Sequence, residues 1–101
     1  MIVERLVWQA KFGQGDTIAA AFNRWEPKMR EHFGVKGRLL VDLTGPMFTV
    51  VVENEYRDMA HVAEVAEQEA KMYADPEFQA WFNSWQGAVE HGTRELYRVV
   101  K

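Results

Sequence analysis

The chain has 101 residues, 12 Lys and Arg against 15 Asp and Glu for a net charge of −3, and no cysteine. A single domain of that length, residues 1–101, buries about two-thirds of its unfolded surface without cross-links. The missing cysteine excludes disulfide frameworks, thiolate nucleophiles and thiolate-held metals. The scattered basic residues form no phosphate-tracking stripe, so nucleic acid is not an expected partner. No apolar run approaches the ~18 residues of a membrane span, and Glu4 and Arg5 interrupt the start before any signal-like segment. A cytoplasmic protein with no membrane association is the expectation.

Taken in order, residues 2–12 alternate as a strand, with Leu6, Trp8, Ala10 and Phe12 on one side and Val3, Arg5, Val7, Gln9 and Lys11 on the other. Asp16 is the expected N-cap of a helix over residues 17–33. Its stripe of Ile18, Phe22, Trp25, Met29 and Phe33 keeps phase through Pro27, which predicts one kinked helix ending at Gly34. Residues 38–44 and 47–55 read as two strands joined by a tight turn at Gly45-Pro46. Asp58 caps a second helix with an inward stripe of Met59, Val62, Ala66, Ala70 and Tyr73. Asp75-Pro76 opens a third helix carrying Phe78, Trp81, Phe82, Trp85 and Val89. Gly92 is the expected helix stop, and residues 93–101 the last strand.

This order is the βαββαβ plan of the ferredoxin-like fold, an α+β class with an antiparallel four-stranded sheet and an extra short helix before the last strand. Right-handed crossovers put both helical connections on one face of the sheet, here that of Leu6, Trp8, Ala10, Phe48, Val50 and Val52. The other face, with Val3, Val7, Leu40, Met47 and Val51, is then open, and an apolar face of that kind calls for a partner. A second copy, packed sheet to sheet about a two-fold axis, is the expected one.

The element order, the hairpin RLLVDLTGPMFTVVVENEY and the tail ADPEFQAWFNSWQGAVEHGTRELYRV together resemble the dimeric α/β-barrel superfamily, in the flavour of its NIPSNAP-like and antibiotic-biosynthesis-monooxygenase-like families. The resemblance covers nearly the whole chain and implies a dimeric α/β barrel. Such families include cofactor-free oxygenases, haem-degrading enzymes, isomerases and members without known activity. Haem degradation in this superfamily uses an Asn on the first strand and a ligating His before the last. This chain has no Asn on the first strand and has Phe82 at the His position, so no cofactor is expected.

Candidate site residues follow from the open face, where Arg5, Gln9, Asp42, Thr49 and Glu53 stand among apolar neighbours, the make-up of a small-molecule site. A plainer reading pairs Arg5 with Glu53 or Asp42 to set the dimer register. Trp81 and Trp85, on the most aromatic helix, are expected either as core or as one wall of the same cavity. His61, Arg5 and Tyr73 are the candidate catalytic groups; His61 otherwise reads as an edge histidine, and His91 and His32 as cations at helix C-termini. No histidine pair has metal-ligand spacing, so no metal site is expected. The expected function is a homodimer that binds a small apolar or aromatic metabolite, as a cofactor-free oxygenase or isomerase of unspecified reaction. The alternative is a non-catalytic structural or interaction dimer whose barrel is filled by its own side chains.

Overall fold

A computed structural model describes residues 1–101. The elements run β1 (Ile2–Ala10), α1 (Gly15–Phe33), β2 (Lys36–Val41), β3 (Thr49–Tyr56), α2 (Met59–Met72), α3 (Pro76–Asn83), a single 3₁₀ turn (Gln86–Ala88) and β4 (Val89–Arg98). All neighbouring strands are antiparallel and the order across the sheet is β2-β3-β1-β4. This is the ferredoxin-like arrangement anticipated from the element order.

The helices cover the expected face. Ile2, Leu6 and Ala10 of β1 and Val50, Val52 and Tyr56 of β3 are buried beneath them, in step with the two-residue alternation of a strand. Helix α1 runs unbroken through Pro27, and Gly34 closes it in the left-handed conformation (φ 65°), its N–H reaching Arg30 O at 3.2 Å. Asp16 lies in the first turn, not at the cap; Gln14 occupies the cap and makes no side-chain bond there. Asp58 and Asp75 do cap α2 and α3, accepting from the N–H groups of His61 and Glu77, each at 2.8 Å.

Four further expectations are corrected. The hairpin does not close at Gly45-Pro46, because β2 ends at Val41 and β3 starts only at Thr49. Side chains hold the longer connection: Gln9 Nε2 donates to Met47 O (2.7 Å), Thr49 Oγ1 to Pro46 O (2.8 Å), and Asp42 Oδ1 accepts from Thr49 N–H (3.0 Å). Helix α2 is rotated from its predicted stripe. It turns His61, Val65 and Met72 toward the protein and leaves Met59 and Tyr73 more than half exposed.

Helix α3 stops at Asn83, and β4 begins at Val89. Gly92 therefore ends no helix. It sits within β4 opposite Trp8, where a Cβ would lie 2.5 Å from the indole ring, so the missing side chain makes the slot for that ring. His91 is likewise an exposed strand residue, not a helix-terminal cation. No helix is long and apolar enough to cross a membrane.

Candidate functional site

Two clusters of buried apolar residues lie at opposite ends of β1. Ile2 packs with Val35, Tyr56 and Val65, and Ala10 packs with Ile18, Val50 and Ala88. Between them, over the middle of β1, lies a cavity of about 400 Å³, within the size range of small-molecule sites. Its floor is the helix-covered face of the sheet, with Glu4, Leu6 and Trp8 of β1, Gly37 and Leu39 of β2, and Val52 and Asn54 of β3. Its roof comes from Phe22, Trp25 and Met29 of α1, Glu69 and Met72 of α2, and the α3 segment that carries Phe78, Trp81 and Phe82, with Trp85 just beyond.

All four tryptophans of the chain line this space. Trp25 and Trp81 stack at 4.5 Å between ring centroids, Phe22 meets Trp81 edge-on at 5.2 Å, and Trp8 meets Trp85 edge-on at 5.1 Å. Such offset and edge contacts add to the area that the rings bury. Trp81 is anchored through its indole N–H, which donates to Ala21 O at 2.7 Å. The indole N–H groups of Trp8 and Trp85 are buried and find no acceptor, a polar cost of packing these rings together.

The opposite end is polar. Glu4, on the covered face of β1, accepts from Asn54 Nδ2 (3.0 Å) and Tyr56 Oη (3.4 Å) and pairs with Arg94 of β4 at 3.5 Å. Gly37 makes room for this, since a Cβ there would lie 2.7 Å from Asn54 Oδ1. Glu69 stands on α2 in the same phase as His61 and Val65. Burial, and then the charge of Glu4, hold its carboxyl above the usual carboxylate range, with Arg94 opposing. The Tyr56 hydroxyl is pushed far up by burial and by the same two carboxylates.

Of the residues singled out from the sequence, Trp81, Trp85 and Tyr73 line the cavity, Tyr73 at its half-exposed edge. Arg5, Gln9, Asp42, Thr49 and Glu53 do not; by strand alternation they belong to the open face. Glu53 there accepts from Arg38 Nε at 2.7 Å, so its partner is Arg38 and not Arg5. Gln9, Asp42 and Thr49 hold the hairpin connection.

His61 is no edge histidine. It is 3% exposed, its Nδ1 accepts from Arg57 N–H at 3.1 Å, and its Nε2 donates to Phe33 O at 2.7 Å. These two bonds require the neutral Nε2–H tautomer and place His61 as a strut between α2 and the end of α1.

The sequence reading passed over Glu4, Asn54, Glu69 and Arg94. The signal was there for two of them. Glu4 is in register with Leu6 and Trp8, and Asn54 with Val50 and Val52, so each is a polar residue on the covered face of its strand.

Structures of similar shape place the fold in known company. A NIPSNAP domain protein of uncharacterised function from Burkholderia xenovorans matches with a TM-score of 0.78 and 20% identity over 99% of this chain and 95% of its own. A NIPSNAP family protein from Agrobacterium tumefaciens matches with a TM-score of 0.75 and 17% identity over 96% and 90%. A candidate antibiotic biosynthesis monooxygenase from Nitrosomonas europaea matches with a TM-score of 0.74 and 13% identity over the whole of both chains. At these identities the likeness establishes the ferredoxin-like fold that the three share with this chain. No family model matches the sequence. No curated protein matches it either.

Proposed function

We propose that this chain binds a small apolar or aromatic metabolite in the cavity between sheet and helices, and that it does so as a cytoplasmic homodimer. The observation that carries the proposal is the cavity itself: about 400 Å³, walled by all four tryptophans and closed at one end by a compact polar group. A cavity of this size between sheet and helices supports a ligand-binding reading over a purely structural one, whatever fills the barrel on the open face. The proposed reaction class is cofactor-free oxygenation or isomerisation, supported by the fold's company of monooxygenase-like proteins. Within that reading the aromatic walls exclude water and orient a planar ligand, and the polar end handles its proton.

The proposed second copy covers the open face. Val3, Val7 and Val51 lie there half-buried, Leu40 is exposed, and β4 adds Tyr97 across from Val3. Arg5 and Glu95, opposite one another on β1 and β4, supply the charged part of that surface. Arg5 is then an interface residue, and Arg5→Ala weakens the dimer while sparing the cavity.

Native mass spectrometry of the freshly purified protein tests both parts together. A dimer carrying a reproducible extra mass is the expected result. A stable monomer removes the dimer, and a bare protein whose tryptophan fluorescence ignores every aromatic probe removes the cavity as a binding site.

A further inference from the structure

The polar end of the cavity is unbalanced in charge and in hydrogen bonding, and in the same direction. Two carboxylates, Glu4 and Glu69, face one guanidinium, Arg94. Arg94 pairs with Glu4, and Glu4 also receives Asn54 and Tyr56, so the first carboxylate is satisfied. Glu69 has no ion pair and no hydrogen bond of its own.

Asn54 repeats the pattern. It is 8% exposed, and because a carboxylate only accepts, it must turn its NH₂ end to Glu4 and its Oδ1 elsewhere. That oxygen, above Gly37, receives no donor within the protein. The other charges around the cavity are settled or peripheral: Arg30 pairs with Glu26, Arg38 with Glu53, and Lys36 is exposed on β2.

We propose, building on the cavity reading above, that the ligand class is an aromatic amine bound as its cation, with the ammonium group taken by Glu69 and Asn54 Oδ1 and the ring held among the tryptophans. An ammonium carries three donors and one positive charge, which meets two empty acceptors and one uncompensated negative charge. Aromatic walls favour a cation further, through the negative faces of their rings. Glu69 is faced by Glu4 from β1, Tyr56 from β3 and Arg94 from β4; burial and then Glu4 raise its carboxyl above the usual range while Arg94 opposes them, so its charged form is the one an ammonium would stabilise.

The test uses three probes of one size, phenethylamine, phenethyl alcohol and phenylacetate, titrated at neutral pH against the tryptophan fluorescence of wild-type protein and of Glu69→Gln. The amine is expected to bind wild type about ten- to a hundredfold tighter than the alcohol, the range of a charge-assisted hydrogen bond, and the acid weakest. In Glu69→Gln the amine's advantage collapses while the alcohol binds unchanged. Lowering the pH, which protonates a raised carboxyl sooner than a solvated one, is expected to weaken the amine in wild type more than in Glu69→Gln and to leave the alcohol unchanged in both. An alcohol that binds as tightly as the amine, or a preference that survives Glu69→Gln, overturns the amine assignment and leaves the cavity standing. If none of the probes perturbs the fluorescence, the cavity reading falls and this inference with it.

Discussion

The two faces of the sheet carry comparable polar residues and use them differently. On the open face, Glu53 is paired with Arg38, and Gln9, Asp42 and Thr49 are committed to the hairpin connection. On the covered side, Glu69 of α2 and one end of Asn54 of β3 have no partner within the protein. Asn54 and Glu69 line the cavity, where water or a ligand can reach them, while the buried polar atoms left without any partner are the indole N–H groups of Trp8 and Trp85. Unpaired acceptors beside an aromatic-walled cavity, which the open face lacks, locate the candidate site on the covered side.

Substitutions sharpen the contrast. The largest loss is expected from Trp85→Ala, which empties a buried aromatic site; it should cost about 3–5 kcal/mol in denaturant unfolding and abolish probe binding. His61→Ala strands the Arg57 N–H and the Phe33 carbonyl and should cost about 1–3 kcal/mol. Amine and alcohol binding should be untouched, because His61 does not line the cavity. A ligand effect equal to that of Glu69→Gln would return His61 to the list of catalytic candidates.

Glu69 predicts a pH dependence whose sign follows from its raised carboxyl. Below the ordinary glutamate value near 4.3 the group is protonated in both folded and unfolded states, and its contribution to stability is fully present. As pH rises through the higher folded value, ionisation in the buried site becomes a penalty and the contribution is lost. As pH rises above the ordinary glutamate range, unfolding free energy should fall by more in wild type than in Glu69→Gln, and parallel profiles would show Glu69 to be solvated. The smallest effect on stability belongs to the open face: Arg38→Ala removes a largely exposed ion pair and should cost about 0.2–1 kcal/mol in denaturant unfolding.

Much of the fold was legible because local chemistry acts over short spans. Asp58 and Asp75 cap their helices through N–H groups two or three residues on, and Gly34 ends α1 because glycine takes a positive φ without strain. Strand alternation identified which face the helices cover, since Leu6, Ala10, Val50 and Val52 share one parity. It failed where a distant partner overrides local pattern. The rotation of α2 follows His61, whose bonds to Arg57 and Phe33 outweigh the apolar stripe of Met59 and Tyr73. Gly92 looked like a helix stop, and its purpose depends on Trp8, on another strand.

The candidate site divides in the same way. Trp81 and Trp85 were conspicuous by type and spacing. The polar end was not, because Glu4, Asn54, Glu69 and Arg94 come from four separate elements, and no window of sequence brings them together. Composition, periodicity and caps by themselves determined the elements, their order and the covered face, since each depends on neighbours a few residues away. Only the tertiary structure decided where the cavity lies and which carboxylate lacks a partner, because burial and pairing depend on what the rest of the chain sets against each group.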